Sequence, residues 1–237
     1  MEGPSIVILK EEVQQFKGKK INNATGYAKL DYDLLKNKTI KNFKTWGKHF
    51  LIVLPDCTLR IHFLLFGTYF INTRKKTNPK LALTFSNGSL NCYVCSAKII
   101  TEPVNKIYDW QLDLLSTRWS FTKVKKLVLE QKDKMICDVI LDPNIFAGAG
   151  NVIKNEALYR AGVHPESITG AIPIKKLNEL IQAVHSYTHD FLKWKKKNLL
   201  SKNWKVYCHK TCAECGGEVL KKYDGKLKRR SFICKKC

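Results

Sequence analysis

Two Cys-x-x-Cys pairs lie close to the C-terminus, Cys212-Ala-Glu-Cys215 and Cys234-Lys-Lys-Cys237, with 18 residues between them. Each turn lets two thiolates face one ion, and this spacing is that of a closed tetrahedral site. Cys212, Cys215, Cys234 and Cys237 are therefore the expected ligands of one structural zinc ion. A catalytic zinc is disfavoured, because four thiolates leave no coordination position open. Between the pairs, Asp224-Gly225 is a turn flanked by alternating residues, which predicts a β-hairpin with a basic tip. Other metal-capable groups carry weaker patterns. Cys208 and His209 are irregularly spaced from Cys212. Cys92-Tyr-Val-Cys95 falls in a predicted strand without a second pair, where alternation would point its thiols to opposite faces, so core or surface thiols are expected. His185 and His189 stand four apart on a predicted helix, but the glutamate of a His-Glu-x-x-His site is missing, which leaves an ordinary helix face.

The elements that must hold these residues change character along the chain. From Ile6 to about residue 106 the sequence reads as short strands, HFLIVLP, TLRIHFLLFGTYFI and LALTFSNGSLNCYV, with Asn87-Gly88 as a turn. This predicts a β-sandwich, preceded by a short helix over KEEVQQFKG that Gly18 ends. From about 119 to 199, WSFTKVKKLVLEQ, NVIKNEALYRAG and IKKLNELIQAVHSYTHDFLKW show apolar residues at helical spacing, with Gly162 as a C-cap. The tail from Val206 is too small and polar to bury a core and needs a metal to fold. The expected class is α+β and multidomain. Its three parts are a sandwich over 1–112, a helical domain over 113–205 and a finger over 206–237.

Composition narrows the partner. The 237 residues include 42 lysines and arginines against 20 acids, a net charge of +22, and the excess is concentrated after Phe191. No apolar run is long enough to span a membrane, so a polyanion, and nucleic acid first, is the expected partner. Nine cysteines arranged partly in close pairs fit a reducing compartment. The N-terminus has an acid at position 2 and no basic stretch before an apolar one, unlike a secretory signal. The chain is expected to work inside the cell as a monomer, in the cytoplasm or on the nucleoid of a prokaryote.

Three separated motifs converge on one family. Met1-Glu2-Gly3-Pro4 resembles the N-terminal Pro-Glu-Gly-Pro of the formamidopyrimidine-DNA glycosylase and endonuclease VIII family. Phe146-Ala-Gly-Ala-Gly-Asn151 through Glu156 to His164-Pro165 resembles its helix-two-turn-helix signature, and the cysteine hairpin resembles its zinc finger. The resemblance implies a base excision repair enzyme that extrudes a damaged base, excises it and cuts the strand as an AP lyase. The nucleophile would be the N-terminal amine, which attacks the sugar C1′ and forms an imine. A free α-amino group has a pKa of roughly 7.7 to 8.0, so about a tenth of it is already neutral at pH 7.

The family pattern also assigns roles. Met1 would supply the amine in place of the absent proline, and Glu2 would match the catalytic glutamate that opens the sugar and moves protons. Lys48 matches the hairpin lysine that binds a phosphate beside the lesion. Asn151, with glycines 148 and 150 before it, matches the phosphate-binding asparagine at a helix start. Arg229 matches the finger arginine, with Arg230 its competitor. His62 opens a segment resembling the loop that fills the void left by the extruded base, which makes His62 a DNA-contact candidate and Leu64, Leu65 and Phe66 void-filling candidates. Strand core is the alternative for those three. An apolar triplet in one loop favours oxidised pyrimidines over 8-oxoguanine. Ser5 replaces the family's second glutamate. The competing reading is a non-catalytic protein that binds damaged, abasic or kinked DNA.

Overall fold

The computed structural model of the chain describes residues 1–237. They form two compact units, one of Met1 with residues 5–109, the other of residues 2–4 with 110–237. Helix α1 (Gly3–Glu12) runs into a single 3-10 turn, Val13–Phe16. It begins seven residues before the helix expected over KEEVQQFKG. Ile6, Leu9, Val13 and Phe16, spaced by three and four, bury one face completely, and an apolar run read as strand is thereby helical. Gly18 stands just beyond, at φ 77°.

Six strands follow: β1 (Asn23–Gly26), β2 (Asn42–Trp46), β3 (His49–Val53), β4 (Thr58–Ile71), β5 (Leu81–Phe85) and β6 (Gly88–Ile100). They pair antiparallel in the order β1-β5-β6-β4-β3-β2. Strands β3 to β6 lie where alternation placed them, and Asn87-Gly88 joins β5 to β6. The strands expected of a sandwich are thus linked in one hydrogen-bonded sheet, and both of its edges, through Ala24 and Phe43, line a single core with α1. A short helix, α2 (Val104–Ile107), ends this unit.

Strands β4 and β6 do not pair evenly. Phe63 faces Cys95 and Thr68 faces Tyr93, so the four residues 64–67 stand opposite Val94 alone. Val94 takes a left-handed backbone at φ 49°, and a Cβ on Gly67 would come within 2.7 Å of the Val94 carbonyl oxygen. This irregularity overturns the expectation that Cys92 and Cys95 face opposite ways, while their expected place as core thiols holds. Val94 breaks the alternation, and both thiols are buried in the same core.

In the second unit, α3 (Phe121–Leu129) is capped by Ser120, whose hydroxyl accepts the Lys123 N–H. Then come α4 (Ile136–Leu141), α5 (Asn151–Ala161), α6 (Ile174–Lys196) and the hairpin β7 (Val219–Asp224) with β8 (Arg229–Cys234). Gly162 ends α5 in a left-handed cap at φ 59°. Helix α6 buries Leu177, Leu180, Ile181, Val184, Tyr187 and Phe191, one stripe, as its periodicity predicts. Helix α5 differs from its expected apolar spacing, because six consecutive residues, Ile153 to Leu158, are buried and three of them are polar. Polar partners fix it, from residues 205–207 and from β8. No helix is long and apolar enough to cross a membrane.

One backbone approach in the sheet unit makes a prediction. Gly26 has φ 138°, and a Cβ there would lie 2.4 Å from the Lys80 carbonyl oxygen across the β1–β5 pair. Gly26→Ala combines left-handed strain with a backbone clash and should cost about 2 kcal/mol or more in urea unfolding. An unchanged midpoint would show that this edge relaxes freely.

Candidate functional site

The sheet unit gathers residues distant in sequence. Trp46 pairs with His49, which leaves Gly47-Lys48 as a two-residue hairpin loop, and Gly47 at φ 53° supplies the first position that such a turn demands. Lys48 is thereby set at the hairpin tip. Across β3 and β4, His49 is opposite His62, their rings edge to face at 5.2 Å. Trp46 and Tyr108 close over His49, and the Trp46 indole N–H donates to the Asp109 carbonyl at 2.9 Å. The Met1 side chain packs against the core of the same unit.

Electrostatics tie the cluster together. The pKa of His62 is lowered first by burial, then by the positive charges of Lys48, the N-terminal amine and Arg60. The amine and Lys48 therefore each lie near enough to His62 to disfavour its proton. His49 is pushed down to about 4, first by burial and then by Arg60 and His62. A cationic neighbourhood with two neutral imidazoles suits anionic phosphate. On the same strand, Leu64, Leu65 and Phe66 occupy the irregularity opposite Val94 and are 47%, 66% and 80% exposed, so they are not strand core.

The second unit holds Glu2, Asn151, Arg229 and Arg230. Helix α5 starts after Gly150, which offers no capping side chain. The Glu2 carboxylate takes that role from 150 residues away, accepting the Val152 N–H at 2.8 Å and the Ile153 N–H at 3.3 Å. A Cβ on Gly150 would sit 2.3 Å from the Glu2 Cδ, so this glycine makes room for the carboxylate. The Gly3 N–H donates to the Gly148 carbonyl at 2.9 Å, which ties the N-terminal residues to the loop leading to α5. Asn151 donates through Nδ2 to the Arg230 carbonyl at 2.9 Å. Arg229 and Arg230, at the start of β8, are exposed.

The finger cysteines converge. The Sγ atoms of Cys212, Cys215, Cys234 and Cys237 all lie within 4.8 Å of one another, with Cys212 to Cys237 at 3.8 Å and Cys215 to Cys234 at 3.4 Å. Thiolates around a tetrahedral ion with bonds of about 2.3 Å stand about 3.8 Å apart, so the residues fit a four-coordinate metal. The amides of Gly217, Lys236 and Cys237 point at Cys215 and Cys234, each at 3.4 Å. Cys208 is exposed and lies outside this cluster. His185 stacks on Trp119 at 3.8 Å and touches His189 on the α6 face, as a plain helix surface would. The hairpin loop is longer than the expected Asp-Gly turn. Asp224 pairs with Arg229 across four loop residues, and the Asp138 carboxylate takes the Lys226 N–H at 2.7 Å.

Sequence reading missed the polar side of α5. Glu156, fully buried, accepts the N–H groups of Lys205, Val206 and Tyr207 at 2.7–3.1 Å. Asn155 donates to the Arg230 carbonyl and accepts the Phe232 N–H at 2.8 Å. Tyr159 places its hydroxyl 2.9 Å from the Cys212 Sγ. A Lys-Asn-Glu run reads as solvated helix surface, and only its position inside the helix-two-turn-helix signature distinguished it.

Comparison with known proteins agrees with this geometry. Residues 113–201 match the family model of the Formamidopyrimidine-DNA glycosylase H2TH domain. Endonuclease 8-like 3 of Mus musculus is 30% identical over 203 residues, 82% of this chain and 34% of that protein. Endonuclease 8-like 2 of Homo sapiens is 31% identical over 195 residues, 76% of this chain and 57% of that protein. The chain spans only about a third of the endonuclease 8-like 3 proteins it matches. Its fold is that of the Lactococcus lactis formamidopyrimidine-DNA glycosylase bound to DNA containing an AP site (TM-score 0.88, 18% identity, 100% and 99% of the two chains). A viral DNA glycosylase has the same fold (TM-score 0.85, 18% identity, 99% and 98%). The chain is thus similar to the formamidopyrimidine-DNA glycosylase and endonuclease VIII family, whose H2TH domain model residues 113–201 match.

The depressed His49 predicts a pH dependence. Its ordinary value is 6.5, so as pH falls the unfolded chain takes up this proton before the folded one, and stability falls between pH 6.5 and about 4. His49 contributes at most about 3 kcal/mol to that loss. His49→Phe should flatten the unfolding free energy across this window by one proton, measured by urea titration at several pH values. An unchanged slope would mean that His49 already carries its proton in the fold.

Proposed function

We propose that this chain is a base excision repair DNA glycosylase with AP lyase activity that acts on oxidised bases in damaged DNA, pyrimidines favoured. The observation that supports it most is that the N-terminal amine and Lys48, 47 positions apart in sequence, both act on His62 of the sheet unit, which strand pairing alone does not require. Similarity to the formamidopyrimidine-DNA glycosylase and endonuclease 8-like proteins suggests the reaction class. The relatives are longer, so activity of the whole protein is part of the proposal.

In this reading the neutral Met1 amine attacks C1′ of the extruded nucleotide. A C–N bond forms as the glycosidic bond breaks, and the base leaves with a proton. The sugar ring opens to an imine, and loss of the C2′ proton expels the 3′ phosphate. Glu2, adjacent in the chain, moves the protons, and its orientation follows from the α5 amides it caps. Lys48, His62, Asn151, Arg229 and Arg230 bind the backbone. The exposed Leu64, Leu65 and Phe66 fill the space the base vacates. The cysteine cluster would hold zinc, which closes the finger as a structural ion and takes no part in the chemistry. The chain divides by role into a catalytic part over 1–112, a DNA-gripping helical part over 113–205 and the finger over 206–237. It would act as a monomer inside the cell.

Borohydride reduction in the presence of an abasic-site oligonucleotide should trap the protein on DNA, with peptide mass spectrometry locating the bond at the Met1 amine. Glu2→Gln should lower base excision at least about 100-fold while abasic DNA is still bound. A bond at Lys48 would reassign the nucleophile. No trapping with intact binding would favour the non-catalytic damage binder.

A further inference from the structure

Lys154 has no place in the mechanism above, yet it is one of the largest fully buried side chains in the molecule. It lies in the first turn of α5, where the helix dipole disfavours a cation, and burial pushes its pKa down to about 8. A lysine buried at such cost needs a reason beyond packing, because an apolar side chain of its size would serve a core as well or better.

Its contacts give that reason. The ammonium donates to the Arg230 carbonyl at 3.0 Å and to the Ser231 Oγ at 2.9 Å. The same carbonyl also receives Nδ2 of Asn151 at 2.9 Å and Nδ2 of Asn155 at 3.1 Å. A carbonyl has two lone pairs, so three donors exceed what satisfaction requires. What they do achieve is to pin one peptide unit, the one that fixes where β8 begins and where Arg229 and Arg230 leave it. Around Lys154 stand Cys137 and Asp138 from α4, Asp224 from β7 and Arg229 from β8. Its charge repels the Arg229 guanidinium, which is exposed. Lys154 itself has no exposed surface and cannot touch a phosphate.

We propose that Lys154 is a positioning residue for DNA binding: through the Arg230 carbonyl and Ser231 it sets the Arg229–Arg230 pair against the DNA backbone. This rests on the DNA-binding reading above. It assigns the α5 lysine a part in the finger's grip and none in the bond-breaking steps.

The test uses the full chain with its metal bound. Lys154→Met removes charge and donor at nearly constant volume and should leave metal content and thermal stability equal or improved. Affinity for a duplex carrying a tetrahydrofuran abasic analogue should nevertheless fall roughly tenfold. The slope of log affinity against log salt should become shallower by about one phosphate contact. In an Arg229→Ala/Arg230→Ala background the same substitution should make no further difference. Wild-type affinity and slope in Lys154→Met, or a full additional loss in that background, would overturn the proposal. If Lys154→Met loses its metal, Lys154→Gln read in the same ways decides. Because the readout is binding, it stands apart from the glycosylase reading, whose failure would appear as absent trapping with these binding differences intact.

Discussion

A buried carboxylate organises the helical unit. Glu156 has no exposed surface and is held by three consecutive backbone N–H groups, those of Lys205, Val206 and Tyr207. A buried carboxyl group that accepts three backbone N–H groups contributes about 1 kcal/mol per hydrogen bond when formed, and leaves costly orphan donors when removed. It locks the segment after α6 onto α5 beside the small apolar cluster of Val206, Val219 and Phe232. With α5 fixed in rotation, its other side chains follow. Asn151, Lys154 and Asn155 meet β8, Tyr159 meets Cys212, and the uncapped amides of Val152 and Ile153 at the helix start receive Glu2. One helix thus orients an acid at its head and a cysteine cluster at its tail.

The sheet unit solves a different problem. It must place an amine, a lysine and an apolar triplet without a polar spine, and it does so with backbone irregularities. The tight Gly47-Lys48 loop sets the lysine, and the four-against-one mismatch opposite Val94 turns three apolar residues out of a strand that would otherwise bury them. Both devices hold side chains at defined points of a rigid frame, which is where precision in a site comes from.

Much of this was legible in the sequence, and for identifiable reasons. The cysteine pairs announced themselves by spacing, strands β3 to β6 by alternation, α6 by an apolar stripe and Gly162 by its cap position. Each is a local pattern with a local cause. Helix α1 was misplaced because Ile6 to Leu9 is an apolar run that fits strand or buried helix equally. Cys92 and Cys95 were assigned to opposite faces because a single left-handed residue, Val94, is invisible to alternation. The role of α5 was hidden more deeply. Lys154, Asn155 and Glu156 look like solvent-facing residues until the chain returns with β8 and residues 205–207, contacts roughly 50 to 80 positions away. Glu2 is a similar case: its type suggested chemistry, while its partner, an uncapped helix start after Gly150, is a tertiary fact.

The central physical claim is that polar contacts from α5, rather than apolar packing around Val206 and Phe232, hold the finger in place. Hydrogen–deuterium exchange of the Val206, Tyr207 and Phe232 amides in Glu156→Gln, compared with the unsubstituted chain, tests it most directly. Exchange of Val206 and Tyr207 should accelerate on the order of 100-fold, with Phe232 following as β8 loosens from α5. Unchanged protection at all three amides would contradict it and assign the docking to the apolar contacts.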